Sequence, residues 1–298
     1  MIAAIIVERV EKGEEHMQVG FYTTVMGDRP IEEVAAWAAD AGFDTLEVDV
    51  ARHIVDPARV RAVVETVRRA GVDVCMLTLF GNLLTADHGE RERLRATAYA
   101  VVEGAADAGV AMVCAFPGRD ETASEDDNYR ELASFFAPLT ERAAQGGVTI
   151  VMENWPGPRA DYLATTPAGW ARLFELVPSP HLGLNLDPSH LIWQGIDHER
   201  ALQAVAGRVA IAHAKDTEVF AERLQEVGYF GRSWWTYRLP GHGRIDWRRW
   251  LALLREQGFD GVVSVEHEDR DWGFPGGDLA RRQEGLREAL RVLRAALA

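Results

Sequence analysis

Four apolar runs in the second half of the chain close on a side chain that can bind a cation or carry a proton. "VTIVMEN" (148–154) closes on Glu153, "HLGLNLD" (181–187) on Asp187, "VAIAHAK" (209–215) presents His213, and "GVVSVEH" (261–267) presents Glu266. Read as strands of one parallel sheet, these runs aim three carboxylates and an imidazole at the same end of it. Carboxylates brought within a few ångströms repel and are costly to desolvate, and a shared divalent cation is the simplest remedy. An oxygen-rich set with one imidazole suits a single divalent ion, Mn2+ first, with Mg2+, Co2+ and Zn2+ also admitted, and leaves positions open for water or substrate oxygens. The stretch "DPSH" (187–190) also reads as a helix start, with Asp187 and Ser189 as caps and Pro188 in the first turn. Beside the other three strand ends, Asp187 reads as a ligand before a cap. His190 sits one short turn on, within reach of whatever the metal holds.

The elements that must position these residues form a repeat: a short β-rich run, a longer amphipathic stretch, often a Gly, then the next run. Such β-rich runs begin at residues 18, 45, 73, 111, 148, 181, 209 and 261. Between them lie stretches such as "IEEVAAWAADAGF" and "WRRWLALLREQGF", with apolar residues at spacings of three and four. Eight such units without a linker or a shift in composition imply an α/β fold, a single (β/α)8 TIM barrel over residues 17–298. A doubly wound open sheet fits less well, because no Gly-rich nucleotide fingerprint follows the first strand. Residues 1–16 read as an N-terminal extension, poorly tied to the fold and a candidate for disorder.

Bulk properties narrow the function. A hydrophobic content of 47% over 298 residues supports a full core. The net charge of −14 is spread along the chain with no basic patch, which disfavours nucleic acid as a partner. The apolar run at the N-terminus is too short for a membrane span and lacks the flanks of a signal peptide. Cys75 and Cys114 each lie inside an apolar run, the usage of a reduced cytoplasmic protein. Self-association into a homo-oligomer is compatible with all of this.

The longest insertion, from Thr217 to Arg244, reads as irregular and gathers Trp234, Trp235, Tyr237, Arg238 and His242. As a loop on the catalytic face it is expected to pack over the strand C-termini as a lid or sugar platform, with Trp234, Trp235 or Arg238 near the substrate and His242 as a further contact. An ordinary packed loop is the alternative. Lys215 reads as a barrel-mouth ion pair or, the preferred reading, an electrostatic partner of a substrate oxygen, and Asp216 as a cap or a support for a ligand. Trp155 reads as a pocket wall, and Glu47 as a barrel-interior ion pair or a substrate contact. His53 and His88 follow the second and third strands; His88 reads as a loop histidine without a role, His53 stays open between that and a site residue, and His267, alternating away from Glu266, is expected to face the helix layer.

Five motifs in order, "MEN" (152–154), "LDPSHL" (186–191), "HAKDTE" (213–218), "PGHGRIDW" (240–247) and "SVEHED" (264–269), give the chain a resemblance to the xylose isomerase-like TIM barrels, a sugar phosphate isomerase and epimerase group. The resemblance implies that Glu153, Asp187, His213 and Glu266 hold one divalent metal. It further implies that His190 contacts a substrate oxygen and that Glu153 and Glu266 flank the carbon whose proton moves. The implied reaction is isomerisation or epimerisation of a small carbohydrate, an inosose or a sugar phosphate among the options, by proton abstraction next to a carbonyl through a metal-stabilised enediolate. The chain departs from ketose 3-epimerases, which place a second Glu after the fifth strand and an Arg after the seventh-strand His. Here the text reads "ENWPGPRAD" and "HAKDTEV", with Arg159 and Thr217 near those places, which points away from free ketohexoses. A keto-sugar lyase or dehydratase using the same site is the alternative. An endonuclease IV-like phosphodiesterase, drawing on His53, His190 and His242, and a non-catalytic sugar-binding barrel rank below it.

Overall fold

The computed structural model describes residues 17–205 and 207–298, so the expectation for residues 1–16 lies outside the described residues. Eight parallel strands close on themselves: β1 (Gln18–Tyr22), β2 (Thr45–Asp49), β3 (Asp73–Leu79), β4 (Met112–Ala115), β5 (Thr149–Glu153), β6 (Leu182–Leu186), β7 (Val209–Ala214) and β10 (Val262–Val265), with β10 pairing β1 to shut the ring. Every β-rich run of the sequence is therefore a barrel strand.

Helices cover the outside, among them α1 (Ile31–Ala41), α2 (Val60–Arg69), α3 (His88–Ala108), α4 (Glu125–Gln145) and α5 (Pro167–Leu176). Their limits follow from local chemistry. Ser124 accepts from Asp127 N–H at the start of α4, where three acids complement the positive end of the helix dipole, and Gly42 and Gly109 end α1 and α3 in left-handed conformations. After β6 come two short helices, α6 (Pro188–Trp193) and α7 (His198–Ala204). The insertion after β7 is not irregular, as its sequence suggests, but an antiparallel hairpin. Strand β8 (Asp216–Val219) pairs β9 (Trp235–Arg238) around α8 (Ala221–Val227), and α9 (Trp247–Glu256) and, after β10, α10 (Leu279–Leu297) follow.

Two layers of apolar packing hold the barrel. Between strands and helices lies the large cluster that includes Phe21, Val34, Phe136, Trp170 and Trp250. Inside the ring a smaller column of Cys75, Cys114, Val151, Ile211 and Val262 fills the lower half. Since side chains alternate along a strand, an inward Val151 makes Glu153 inward, an inward Ile211 makes His213 inward, and an inward Val262 makes Ser264 and then Glu266 inward. The apolar column is thus the floor of a polar mouth. Gly20 allows the close approach of β1 to β2: a Cβ there would meet Thr45 O at 2.7 Å.

Candidate metal centre and active site

At the C-terminal mouth, one atom from each of Glu153, Asp187, His190 and Glu266 lies within 4.8 Å of the others, and among the described residues this is the one such grouping. His213 Nδ1 faces the same point, 3.1 Å from Glu266 Oε2, 3.6 Å from Glu153 Oε1 and 4.0 Å from Asp187 Oδ2. All but the partly exposed Glu266 are buried. A cavity of about 290 Å³ opens instead at the N-terminal mouth, among Cys75, Met112, Ala210 and Val262, and has no such convergence of ionisable groups.

Two atoms of the cluster test whether a cation fits. Asp187 Oδ2 and His213 Nδ1 are buried and make no hydrogen bond. Lys215 Nζ, 3.2 Å from Asp187 Oδ2, offsets part of that oxygen's charge, but neither atom has a hydrogen bond to satisfy it, and two such atoms among carboxylates are suited to a shared cation. Asp187 spends its other oxygen on Ser189 N–H at 2.7 Å, capping α6, so the capping oxygen and the candidate ligand oxygen belong to one carboxylate. Asn154 clamps the Asp187 backbone, accepting from its N–H at 2.7 Å and donating to its carbonyl at 2.9 Å. His213 Nε2 lies 2.9 Å from Glu47 Oε2, and Glu47 also accepts from Ser264 Oγ (2.9 Å) and Thr78 Oγ1 (2.6 Å). The Asn185 amide also lies 2.8 Å from Nε2 and its buried Oδ1 is otherwise without a partner; with that oxygen turned to the ring, Nε2–H is given to Glu47 and Asn185, and the lone pair on Nδ1 is the form a metal ligand needs. Glu47 is therefore an interior partner of His213 rather than a substrate contact.

The electrostatics centre on Lys215, a fully buried ammonium 2.6 Å from Glu266 Oε2, 3.0 Å from Glu268 Oε2 and 3.2 Å from Asp187 Oδ2. Burial works against its charge, yet Asp187, Glu266 and Glu268 hold its pKa well above the ordinary lysine value. Burial pushes the Glu266 carboxyl up, but Lys215 and His213 reverse this and hold it well below the usual carboxylate range. Glu268, which the sequence reading passes over, was within reach of period-two counting from Glu266; burial raises its pKa against the pull of Lys215.

His190 Nε2 is 3.1 Å from Glu153 Oε1 and 3.3 Å from Asp187 Oδ2. Trp155 packs with Phe80, Phe116 and Tyr162 at centroid separations of 5.3 to 5.8 Å. From the hairpin, Tyr237 reaches the cluster, with its hydroxyl 2.8 Å from His190 Nδ1 and its ring 4.4 Å from Lys215 Nζ. Trp235 stacks on Trp193 at 4.9 Å.

Two expected substrate contacts are engaged elsewhere. The Arg238 guanidinium pairs with Glu218, Asp269 and Asp271, fastening the hairpin to the segment after β10. His242 lies 3.3 Å from Glu288 of α10 and edge-on to Trp272, in the helix layer. His53 is buried after β2, and His88 is exposed at the start of α3. His267 faces the helix layer, so close to Gly285 of α10 that a Cβ there would meet its Nε2 at 2.7 Å.

Asp216 holds the "PGHGRIDW" loop. Its Oδ1 accepts from the N–H groups of Thr217 (2.8 Å), Arg244 (2.8 Å) and Ile245 (3.1 Å), and its Oδ2 from Gly241 N–H (3.3 Å) and Trp247 Nε1–H (3.1 Å). Gly243 passes so close that a Cβ would stand 2.2 Å from Asp216 Oδ1. Asp216→Ala strands these donors and is expected to lower unfolding free energy by roughly 3 kcal/mol, read from urea denaturation; a loss under about 1 kcal/mol would refute the anchoring role.

Comparison with known proteins places this architecture. The Bacillus subtilis protein YfiH is 26% identical over 300 residues, spanning 85% of this chain and 93% of that protein. An inosose isomerase of Halalkalibacterium halodurans is 30% identical over 140 residues, 46% of this chain and 45% of its own. The structure of the IOLI protein with a bound zinc atom superposes with a TM-score of 0.76 at 19% identity, covering 95% of this chain and 100% of that one. The profile of the xylose isomerase-like TIM barrels matches residues 35–296, and the chain belongs to that family.

Proposed function

We propose that the protein is a divalent-metal-dependent isomerase or epimerase of a small keto-sugar or inosose, acting by proton transfer at a carbon next to a carbonyl. The observation that carries this reading is the placement of Glu153 and Glu266 around the point where Asp187 Oδ2 and His213 Nδ1 have no hydrogen-bond partner. One ion, Mn2+ by the oxygen-rich donor set, would be held by Glu153, Asp187, His213 and Glu266 and would supply Lewis-acid polarisation of the substrate carbonyl.

Glu153 and Glu266 serve as the bases, one removing the proton and the other returning it. Lys215 and His190 face the substrate oxygens and favour the negative charge that develops there. Trp155 and the stacked Trp193–Trp235 pair offer flat apolar surfaces for the C–H face of a ring. The partial match to an inosose isomerase supports the keto-polyol class, and the zinc of the IOLI structure supports a divalent ion.

The test is incubation of Mn2+-loaded protein with a panel of keto-sugars and inososes in D2O, followed by NMR. Deuterium is expected at one carbon of one substrate, with one ion per chain by mass spectrometry and no exchange after chelation. Loss of a hydroxyl in place of reprotonation would assign elimination instead. Metal-loaded protein that labels and dehydrates nothing in the panel would count against the proposal.

A further inference from the structure

The hairpin brings one residue to the cluster that the reaction as proposed does not use. Tyr237 sits on β9, with its hydroxyl 2.8 Å from His190 Nδ1, and the indole N–H of Trp193 donates to that hydroxyl at 3.2 Å. An indole nitrogen only donates, so the phenol oxygen accepts from Trp193 and has its own O–H to give to His190. We propose that Tyr237 is a positioning residue that fixes His190 as the Nε2–H tautomer, making it a hydrogen-bond donor towards the substrate rather than a metal ligand.

The far side of the ring agrees. His190 Nε2 faces Glu153 Oε1 at 3.1 Å and Asp187 Oδ2 at 3.3 Å, and both contacts are attractive only with a proton on Nε2. The opposing contact is Lys215 Nζ at 3.3 Å, but that ammonium makes shorter approaches to Glu266 at 2.6 Å and Glu268 at 3.0 Å. The opposite tautomer would turn Nδ1–H towards a phenol oxygen that already accepts from Trp193 and would leave the phenol proton unused. The two histidines of the cluster are thus set in opposite senses: His213 gives Nε2–H to Glu47 and presents a lone pair, while His190 accepts the Tyr237 O–H at Nδ1 and presents an N–H. Arg238, next in the chain, is fastened to Asp269 and Asp271, which holds the hairpin where Tyr237 makes this contact.

The tautomer is open to direct reading. In histidine-15N-labelled protein loaded with Zn2+, long-range 1H–15N correlation is expected to show His190 protonated on Nε2 alone, the signal being assigned by its loss in His190→Asn. Tyr237→Phe removes only the hydroxyl, and the Nε2–H preference is expected to drop by about tenfold, so that the second tautomer becomes visible. Trp193→Phe keeps a ring against Trp235 and is expected to shift the balance less, in the same direction. A wild-type His190 protonated on Nδ1, or coordinated through Nε2, overturns the proposal, as does a Tyr237→Phe spectrum identical to wild type. If Tyr237→Phe fails to fold, the wild-type and Trp193→Phe spectra decide.

The consequence for turnover rests on the proton-transfer reading: at full metal occupancy kcat of Tyr237→Phe should fall about tenfold with KM little changed. The spectra do not depend on activity. A substrate panel that labels nothing therefore defeats the proposed function and leaves the tautomer result standing, whereas a wrong tautomer in a protein that exchanges deuterium defeats only this inference.

Discussion

Glu266→Gln is expected to cut the rate of substrate C–H exchange by roughly 100-fold or more, while metal affinity falls far less. The amide keeps the length of the side chain and an oxygen that accepts from Lys215, which is 2.6 Å from Glu266 Oε2 in the native protein. What it loses is the capacity to take up a proton. Glu153, Asp187 and His213 remain for the ion. His190→Asn should do the reverse of stripping the site: metal content stays near one ion per chain and the deficit falls on substrate positioning. This contrast bears on the one ambiguity in the geometry, because His190 is as close to the carboxylates as His213 is. Metal content by mass spectrometry beside the exchange rate of each variant separates the two histidines. If His190→Asn empties the site while Glu266→Gln exchanges at the native rate, the roles have been assigned to the wrong residues.

Much of the candidate site is legible in the sequence because period-two alternation carries it. Once "VTIVMEN" and "VAIAHAK" are strands, the side chains of Glu153 and His213 have only one barrel interior to enter. The same counting, carried two residues past Glu266, reaches Glu268, which lies 3.0 Å from Lys215. What local pattern could not deliver were the contacts made across the chain. Glu47 is 166 residues from His213, and nothing near "TLEVD" in sequence marks it as that imidazole's partner. The hairpin was hidden for another reason: β8 and β9 are four residues each, separated by a helix, so neither shows a clear alternation. Its aromatic and basic residues stand out in the sequence, but which of them turns inward is decided by Asp269 and Asp271, which hold Arg238 and leave Tyr237 over His190. A cap at Asp187 does not compete with a ligand role, since a carboxylate has two oxygens: one caps α6 and the other faces Lys215 and His190 in the cluster.

Glu47→Gln is expected to weaken metal binding by roughly 10- to 100-fold without contacting the ion. Glu47 is fully buried and accepts three hydrogen bonds, from His213, Ser264 and Thr78. A buried carboxylate facing Nε2–H makes the imidazole a stronger donor through Nδ1 and fixes the tautomer that presents a lone pair to the cluster. The amide retains an oxygen for His213, and its N–H2 can be accommodated because the hydroxyls of Thr78 and Ser264 can turn to accept. Geometry should therefore survive and only the charge behind the ring is lost, which is why Gln is the informative change. Alanine would open a cavity and strand three donors, confusing a folding defect with a ligand effect. Competition against a chromophoric chelator for Zn2+ gives the affinity, and denaturant unfolding of the metal-free protein confirms that the fold persists. An affinity within about twofold of native would mean that His213 is not held to the ion through Glu47, and the assignment of Nδ1 as a ligand would lose its support. At saturating metal the variant should recover most of its exchange activity, since Glu153 and Glu266 are untouched. A Glu47→Gln protein that binds metal normally yet exchanges no deuterium would instead place Glu47 among the groups that move the proton.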